Sequence, residues 1–488
     1  MSEAVFIGVG YLIFTLYTCG IMYLGAVLED KTSIDPTICR KLTHIVSAFV
    51  WVICYFFFGC SLHWVILNFV GAAALGVVTF GDKFTAFQRT DADKCYGLFY
   101  FGLSTAIVAL ICYLVGEELY LYTGVTYYCL ALGDGVAPLV AKACGKANVQ
   151  IRPGKSLWGT VSVFLMSFLS AFVFSLIFRM ELDIVFLLSV AALTCVTEFY
   201  GMKGTDNLFI EFFVFGYLVL NHYGLVSLPL QIVLIVSPAL ACLAIYSGAM
   251  SESGGICAFF LFAFVGFFGR GFVPVVFIAV LFLVSTVVSV VGKKIKKRIA
   301  GQAESHKARR AHQITAVGLF AIIALILYWI TNVPIFYYLF FLALTEQIAD
   351  SMASDIGCLT AKKNVSIITG KPVEKGISGG ISVLGTVAAL VSSFLLMVLP
   401  MAFGVISPLI CLAIGLIAFV GTLADSVVGA LAQSLYECDT CNALTETDMH
   451  CGKPAKLIKG FRMIDNVAVN YIAGLITCGF GFLLLLAV

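Results

Sequence analysis

The chain has 488 residues, of which 61% are hydrophobic and 11% are charged, and its formal net charge is +2. A soluble globular protein carries about 25% charged residues, and the mean hydropathy of this chain is +1.05. The composition therefore predicts an all-α, polytopic integral membrane protein and excludes the soluble globular class. The near-neutral charge also argues against a nucleic-acid partner.

The seventeen cysteines do not predict a disulfide framework. Most of them lie inside apolar runs, as Cys112, Cys195 and Cys411 do, where Cys behaves as a small hydrophobic residue. The N-terminal residues Met1–Val5 lack the basic stretch that precedes a cleavable signal, so the first apolar run is predicted to be a retained span.

Apolar windows give the predicted spans, because a transmembrane helix needs about 20 mostly apolar residues. They predict about 14–16 helices in two modules, residues 1–225 and 226–488, which divide near residues 223–227. The provisional spans are 8–28, 44–59, 62–80, 98–115, 119–141, 157–178, 183–200, 208–222, 226–248, 255–270, 272–292, 313–330, 334–348, 378–400, 402–420 and 466–487.

Basic residues predict the orientation of these spans. Every Lys and Arg except Arg179 and Arg270 falls on one side of the membrane in this arrangement. By the positive-inside rule that side is cytoplasmic, which places both termini outside. The acidic and glycine-rich motifs emerge on the same side, where nucleoside triphosphates are found, so active sites that face the cytoplasm are expected.

Asp134 is the first candidate site residue. It lies in Leu132-Gly133-Asp134-Gly135-Val136-Ala137 at the end of a long apolar run. Glycines on either side let the backbone approach a ligand closely. An ionised carboxylate at a membrane boundary is costly unless it is paired or metal-bound, which makes it a candidate functional residue. The alternative is a solvated Asp at a helix C-cap.

The loop after this run is basic and glycine-containing. It carries Lys142, Lys146, Arg152, Gly154, Lys155 and Ser156, followed by Gly159 and Thr160. The helix that begins after Pro153-Gly154 would offer free N–H groups to a phosphate. The loop is not a Walker A motif, since Val149 stands where its first glycine is required.

Two further clusters reach the same side. Arg40 and Lys41 open a span and either hold a phosphate or anchor to lipid headgroups, while His44 lies one turn inside the span. Glu198, Asp206 and Asn207 also reach this side. Their carboxylates would complete a magnesium site with Asp134, because Mg²⁺ takes one or two protein carboxylates together with phosphate and water oxygens.

The order Arg40-Lys41-x-x-His44, Gly133-Asp134-Gly135, Pro153-Gly154-Lys155-Ser156-x-x-Gly159-Thr160 and Glu198…Asp206-Asn207 resembles the polyprenol kinase group, which contains phytol kinase, dolichol kinase and the CTP-dependent diacylglycerol kinase. The resemblance covers residues 30–222 and is greatest to phytol kinase. It implies nucleotide-dependent phosphorylation of a lipid alcohol, often with CTP. The candidate catalytic residues here are Asp134, Lys155 and Asp206, and the candidate nucleotide- or phosphate-binding residues are Arg40, Lys41, His44, Gly133, Gly135, Lys142, Arg152, Gly154, Ser156, Gly159, Thr160 and Asn207.

The second module repeats this logic with different spacing. Asp350, Ser354 and Asp355 fall at i, i+4 and i+5, so both carboxylates would address one metal from a helix face, unless they are simply solvated. A turn with Lys375-Gly376 and Gly379-Gly380 follows. Asp425 lies unpaired within an apolar segment, and Asn466 and Asn470 open the last span.

The order Asp350-x-x-Ala353-Ser354-Asp355, Lys375-Gly376-x-x-Gly379-Gly380-x-Ser382, Asp425-Ser426 and Asp465-Asn466-x-x-Val469-Asn470 resembles a second membrane family, over residues 226–487. That family contains the plant phytyl-phosphate kinases and many members of unknown activity. The implied catalytic residues and Mg²⁺ ligands are Asp350, Asp355 and Asp425, with Lys375 catalytic, and the implied phosphate-binding residues are Gly376, Gly379, Gly380, Ser382, Asn466 and Asn470. The chain departs from the family at Asp355, where Glu is usual, and at Val317, where Asn is expected.

The polar stretch 433–465, named here the cysteine loop, carries Cys438, Cys441, His450 and Cys451. Three cysteines and a histidine are a known set for structural zinc, and Cys438-x-x-Cys441 has knuckle spacing. Adjacent His450 and Cys451 are less usual, because both must turn toward one ion. Free thiols are the alternative to zinc, and a disulfide is the weaker one in a reducing compartment.

Together these motifs predict a fused two-step kinase that uses Mg²⁺ and CTP or ATP. The first module would phosphorylate an isoprenoid alcohol of the phytol, geranylgeraniol or farnesol type, and the second would phosphorylate the monophosphate. One alternative is a dolichol or diacylglycerol kinase, or a cytidylyltransferase, with a regulatory second half. The other is a membrane transporter, which should show carboxylates near span centres.

Overall fold

The computed structural model describes residues 2–31, 36–80, 96–152, 154–201, 204–300, 308–357, 359, 364–373 and 377–487, without the side chains of residues 26, 29–31, 36–37, 40 and 289–300. The chain divides into two compact units, residues 1–235 and 236–488.

Unit 1 is built almost entirely from helices. They are α1 (Glu3–Lys31), α2 (Pro36–Ser47), α3 (Phe49–Phe57), α4 (Leu62–Phe80), α5 (Gly97–Val115), α6 (Tyr120–Tyr128), α7 (Gly135–Ala143), α8 (Leu157–Ile177), α9 (Ile184–Tyr200) and α10 (Thr205–His222), with α11 (Leu228–Tyr246) crossing the division. A π-helical turn, Cys129–Asp134, joins α6 to α7 without a break. A short antiparallel hairpin of β1 (Gln150–Arg152) and β2 (Lys155–Ser156) precedes α8.

The centre of unit 1 is α9, whose residues from Phe186 to Phe199 are nearly all buried. It packs between α8 and α10. The buried face of α8 consists largely of small residues such as Ser162, Ser167 and Ala171. Small side chains let membrane helices approach closely, since van der Waals packing and not water exclusion drives their association.

Unit 2 contains α12 (Glu252–Phe268), α13 (Phe272–Ala300), α14 (Ala311–Thr331), α15 (Pro334–Gly357), α16 (Val383–Ala402), α17 (Pro408–Ala432) and α18 (Asn466–Leu485). Between α15 and α16 lies an antiparallel sheet of β3 (Asn364–Ser366), β4 (Pro372–Val373) and β5 (Gly380–Ile381), with β3 in the middle. The cysteine loop forms a sheet of β6 (Leu435–Glu437), β7 (Leu444–Thr445) and β10 (Lys456–Lys459), together with a hairpin of β8 (Met449–His450) and β9 (Lys453–Pro454).

The centre of unit 2 is α15. It packs against α13, α14, α16, α17 and α18, and every residue from Leu339 to Ala349 is buried. Polar groups on this helix are therefore held inside the bundle.

The predicted fold class, a helical polytopic membrane protein, is confirmed. Ten helices in the described part of the chain are long and apolar enough to cross a membrane, and four shorter apolar helices lie at 41–57, 184–200, 252–268 and 272–288. Each predicted span coincides with a helix or with a broken helix. The span expected at 44–59 is interrupted at Ala48, and the one expected at 334–348 continues to Gly357.

Candidate functional sites

Asp134 is a buried residue in the middle of a membrane helix. It is the last residue of the π-helical turn, and the helix continues through α7 to Ala143. Its relative exposure is 6%. The interpretation of Asp134 as a solvated C-cap is therefore wrong. π-Helical turns are rare and occur frequently at functional sites.

Lys41 on α2 is the ionic partner of Asp134. Its Nζ donates a hydrogen bond to Oδ2 of Asp134 at 2.5 Å, and both side chains are largely shielded from solvent. Gly135 makes this contact between α2 and α7 feasible, because a Cβ at that position would overlap the side chain of Ile45. Two residues that lie 93 positions apart in the chain are thus joined by one charged contact.

Lys155 and Glu198 form a second buried ion pair. The Lys155 ammonium donates to the Glu198 carboxylate, and it also donates to the backbone carbonyl of Glu198 at 2.6 Å. Gly154, in the left-handed region with φ +76°, provides the turn that presents Lys155. Arg152 fastens the same hairpin by donating to the carbonyl of Phe199 at 2.9 Å.

Asp206 completes the group of charges. It lies in the first turn of α10, after Gly204 with φ +87°, where a carboxylate is favoured by the helix dipole. The negative charges of Asp134, Glu198 and Asp206 interact with one another and with Lys155. Asn207 donates to the carbonyl of Gly97 at 2.8 Å, which ties α10 to α5. We name Lys41, Asp134, Lys155, Glu198 and Asp206 the charged cluster.

Other candidate residues of unit 1 lie around this cluster. His44 packs on the ring of Phe101, with ring centroids 5.8 Å apart, and its charge interacts with Asp134. Ser156 stands at the N-cap of α8 without a side-chain cap hydrogen bond, and the buried Thr160 hydroxyl oxygen has no hydrogen-bond partner. The first turn of α8 is therefore not capped by this serine.

The remaining candidates of unit 1 have packing or peripheral positions. Gly133 lies against Ser167, and Gly159 lies close to the hydroxyl of Ser156. Lys142 is exposed near the end of α7, about two turns beyond Asp134. The side chain of Arg40 is outside the described part of the structure.

Unit 2 holds a cluster of buried acidic residues. We name Glu346, Asp350 and Asp425 the acidic cluster, because their negative charges interact with one another. Glu346 is fully buried. Its Oε2 accepts a hydrogen bond from Gln347 at 2.8 Å, whereas its Oε1 and the Oδ2 of Asp425 have no partner.

Asp355 lies one turn beyond Asp350 and on a different side of α15. Ile348, Met352 and Asp355 share one helix face by their spacing. The first two line an apolar cavity of about 140 Å³ together with Phe277 and Leu396. Asp355 interacts electrostatically with Asp350 and also with Arg309.

Arg309, which precedes α14, is the basic residue of this region. Its guanidinium donates to the hydroxyl of Ser285 on α13. Burial lowers the pKa of Arg309, and the negative charge of Asp355 opposes that change.

The glycine-rich turn of unit 2 is described only in its second half, since Lys375 and Gly376 lie outside the described residues. Gly379 has φ +80°, and a Cβ there would overlap that of Ala430. Gly380 lies in β5. Ser382 caps α16, because the N–H of Gly385 donates to its hydroxyl at 3.1 Å.

The two asparagines of α18 differ in their surroundings. Asn466 is exposed in the first turn of the helix, which Asp465 caps. The carbonyl of Asn470 accepts a hydrogen bond from Gln347 at 3.3 Å. Only Asn470 is thereby linked to the acidic cluster.

Comparisons with known proteins give the family. The model of the family described as "Integral membrane protein DUF92" matches residues 235–478. The chain belongs to the DUF92 family of integral membrane proteins. This match covers unit 2 up to residue 478, including both the acidic cluster and the cysteine loop.

Several curated proteins are similar to parts of the chain. The DUF92 chain is 31% identical over 183 residues to an uncharacterised membrane protein of Methanocaldococcus jannaschii, covering 37% of the chain and 74% of that protein. It is 27% identical over 197 residues to phytol kinase of Synechocystis, covering 38% of the chain and 82% of that enzyme. It is 28% identical over 189 residues to the chloroplastic protein VTE6 of Arabidopsis thaliana, covering 37% and 56%. No solved structure matches the chain.

Two buried glutamates of this DUF92 protein were missed by the sequence analysis. Glu346 is one, and Glu211 on α10 is the other, with a relative exposure of 1%. Glu211 lines a cavity of about 30 Å³ together with Trp51, Trp64 and Tyr127, and its Oε1 has no partner. A single acidic residue within an apolar run is itself a functional signal. The expectation that carboxylates collect at the span ends is therefore incomplete.

The cysteine loop of the DUF92 region brings its four predicted ligands together. The Sγ atoms of Cys438, Cys441 and Cys451 and a ring nitrogen of His450 all lie within 4.8 Å of one another. A hydrogen bond from the backbone N–H of Thr440 and the neighbouring His450 lower the pKa of the Cys438 thiol to about 6.

Proposed function

We propose that the chain is a nucleotide-dependent kinase of isoprenoid lipids with two sites. Unit 1 would phosphorylate a prenyl alcohol of the phytol, geranylgeraniol or farnesol type, and unit 2 would convert the monophosphate to the diphosphate. The observation that carries the proposal is the charged cluster, in which two lysines and three carboxylates meet beside the N-terminus of α8. The similarity of the chain to a phytol kinase supports the choice of a prenyl alcohol as substrate.

The charged cluster suits a ligand that brings charges of both signs. Breaking a buried ion pair is costly, because it leaves an uncompensated charge. A magnesium–nucleotide complex supplies phosphate oxygens to Lys41 and Lys155 and a cation to the carboxylates. Each buried charge of the cluster would then face a charge of opposite sign when the nucleotide is bound.

One or two of the unit 1 carboxylates would hold a magnesium ion, since among the described residues only the cysteine loop brings three or more potential metal ligands together. Asp134, Glu198 and Asp206 offer hard carboxylate oxygens, and Asp134 bonds Lys41 through only one of its two oxygens. Bound Mg²⁺ would neutralise charge on the transferred phosphoryl group. Lys155 would orient the phosphates, and the uncapped N-terminus of α8 would offer further N–H donors.

The acceptor alcohol would approach from the lipid phase. The outward faces of the helices carry many exposed apolar side chains, for example Leu165 and Leu169 on α8. A prenyl chain would lie along such a surface, with its hydroxyl group directed to the charged cluster. We propose that this site faces the cytoplasm, because Lys142, Lys146 and Arg152 lie in the chain between Asp134 and Lys155.

In unit 2 the acidic cluster would hold the metal, and the cavity face of α15 would hold the lipid. The apolar cavity of about 140 Å³ is similar in size to one that holds a benzene molecule, so it has room for part of a prenyl chain. Arg309, next to Asp355, would bind the phosphate of the monophosphate. We assign Lys375 to the phosphate donor, as its place in the glycine-rich turn predicts.

The test is a lipid phosphorylation assay on the purified full-length protein in detergent. It contains Mg²⁺, γ-labelled CTP or ATP, and phytol, geranylgeraniol, dolichol or diacylglycerol, and the products are separated as monophosphates and diphosphates. Isoprenyl diphosphate from one polypeptide is the expected product. Phosphorylation of dolichol or diacylglycerol alone would overturn the prenyl assignment, and absence of any labelled lipid would overturn the kinase assignment.

Variants separate the two sites. Asp134→Asn should lower alcohol phosphorylation by at least about 100-fold and leave activity on supplied monophosphate intact, whereas Asp350→Asn should do the reverse. The matched control is Glu117→Gln, which removes an exposed charge at the opposite end of the same apolar segment. Equal loss of both activities in either variant, with thermal stability unchanged, would show that the sites are not independent.

A transporter is the second candidate, and Glu211 and Glu346 favour it. Both are buried in helices that the sequence predicts to be spans, and carriers place ion-coupling carboxylates within spans. Reconstitution of the protein in vesicles with labelled prenyl phosphate on one side distinguishes the two functions. Accumulation across the membrane without a change in the lipid would support transport, and covalent labelling of the lipid supports the kinase.

A further inference from the structure

The cysteine loop has the geometry of a tetrahedral metal site. The Sγ atoms of Cys441 and Cys451 are 3.8 Å apart, and Nδ1 of His450 lies 3.4 Å from Cys441 Sγ and 3.3 Å from Cys451 Sγ. With Zn–S bonds of about 2.3 Å and a Zn–N bond of about 2.0–2.1 Å, the edges of a tetrahedron are about 3.8 Å between sulfurs and about 3.5 Å between sulfur and nitrogen. The three observed distances agree with these edges.

The backbone explains how the adjacent His450 and Cys451 both face the same point. Cys451 and Gly452 connect β8 to β9 as a two-residue turn, with φ of +51° and +74°. Two positive φ angles define the type I′ turn of a β-hairpin. The left-handed conformation at Cys451 costs about 1–2 kcal/mol, which a bond from its sulfur to a metal would offset.

Cys438 contributes the fourth ligand from a knuckle turn. The N–H of Asn442 donates to the carbonyl of Cys438 at 2.8 Å, and the backbone N–H groups of Thr440 and Cys441 donate to its sulfur. Such N–H donors stabilise a thiolate. Cys438 is buried, whereas Cys441 and Cys451 are exposed, so the site is closed on the protein side and accessible to a metal from the other.

A metal accounts for the cluster better than a disulfide does. A disulfide brings two sulfurs to about 2.05 Å and would leave the third cysteine and the histidine without a role. A Cys₃His set with thiolate ligands favours zinc. None of the residues 439–464, all of them described, is buried, and a segment without a core of its own gains its fold from a structural metal.

The cysteine loop also contacts the glycine-rich turn of unit 2. The backbone N–H of Ser378 donates to Oε1 of Glu446 at 2.9 Å, and Glu446 follows β7 within the loop. Ser378 directly precedes Gly379–Gly380. The base of the loop is closed by a hydrogen bond from the N–H of Ser434 to the carbonyl of Ile464 at 2.8 Å.

We propose that Cys438, Cys441, His450 and Cys451 bind one structural Zn²⁺, and that the zinc-folded loop holds Glu446 against the glycine-rich turn. Binding releases the thiol protons, because the ligands are thiolates and a neutral imidazole. The zinc site has no part in phosphoryl transfer. It stands on the geometry of the loop and does not depend on the kinase assignment.

The first experiment measures metal content in the full-length protein purified in detergent. Elemental analysis should find about one zinc per chain, and Cys441→Ser and Cys451→Ser should each reduce it by at least about tenfold. Cys144→Ser, a half-buried cysteine of unit 1, is the control and should keep the zinc. No zinc in the wild-type protein after incubation with Zn²⁺ would overturn the proposal, as would full zinc content in both loop variants.

Two further measurements avoid reliance on variants that fold poorly. Replacing zinc by Co²⁺ in the wild-type protein should give the absorption bands of tetrahedral cobalt with thiolate ligands, and an octahedral spectrum would overturn the ligand set.

Hydrogen exchange of the Ser378–Ile381 amides should become about tenfold faster after chelation of zinc and also in Glu446→Gln with zinc retained. Unchanged exchange in both cases would refute the contact between the loop and the turn.

Discussion

The charged cluster of unit 1 and the acidic cluster of unit 2 handle buried carboxylates in opposite ways. In unit 1, Asp134 and Glu198 each bond a lysine that comes from another part of the chain. In unit 2, no cation among the described residues pairs with Glu346, Asp350 or Asp425, and oxygens of Glu346 and Asp425 have no hydrogen-bond partner. Buried negative charges repel one another and resist ionisation unless a cation joins them. The charged cluster therefore pairs two of its three carboxylates with lysines, whereas the acidic cluster has no such pair among the described residues.

Removal of a lysine gives the largest expected difference. Lys155→Met leaves Glu198 buried without its partner, and the free energy of unfolding should fall by about 3–5 kcal/mol. In unit 2, Glu346→Gln removes one of several like charges and should change it by less than about 1 kcal/mol. Thermal unfolding in detergent measures both. The double variant Lys155→Met/Glu198→Gln should recover most of the loss, and a failure to recover would mean that Lys155 acts mainly through packing.

Alanine substitutions in the two glycine turns should give effects on stability of intermediate size, and the two variants can be compared directly. Gly154→Ala adds a methyl group that meets nothing within 4 Å, so only backbone strain of about 1–2 kcal/mol is expected. Gly379→Ala has the same strain and also overlaps Ala430, and about 2–5 kcal/mol is expected. Unfolding by heat or denaturant compares the two variants. Equal destabilisation would show that the turn moves away from α17 at little cost.

Metal affinity without nucleotide gives the smallest expected effect. Mn²⁺, followed by electron paramagnetic resonance, should bind unit 2 without nucleotide, because the acidic cluster has no described cation. Asp350→Asn should weaken this binding about tenfold, or 1.4 kcal/mol, whereas Asp134→Asn should change it by less than about twofold. Asp448→Asn, an exposed residue of unit 2, is the control. A greater loss in Asp134→Asn would reverse the comparison.

Much of the fold follows from the sequence, since apolar windows locate the helices of both units. Asp134 and Asp425 were found because a carboxylate in an apolar run is conspicuous. Glu211 and Glu346 carry the same signal. They were missed because the candidate residues were chosen mainly near the polar loops at the ends of spans.

Other features of the sites depend on tertiary structure. The choice between phosphate binding and headgroup anchoring for Lys41 could not be made from spacing, because its partner Asp134 is distant in the chain. The interaction of Asp355 with Arg309 joins residues from different elements, so spacing along α15 could not predict it. The roles assigned to these residues remain predictions for the experiments above.

The π-helical turn at Cys129–Asp134 changes the rotational position of the residues that follow it without breaking the helix. A turn of this kind accommodates one extra residue, and each residue of an α-helix corresponds to about 100° of rotation and 1.5 Å of rise. The side chains after the turn therefore point in directions that are rotated from those expected if the α-helix before the turn had continued regularly. Tyr127 can face the Glu211 cavity while Asp134, two helical turns later, faces Lys41. Deletion of a single residue from this turn would restore a regular α-helix and rotate Asp134 away from Lys41. The number of residues in the turn is therefore as important for this contact as the carboxylate of Asp134.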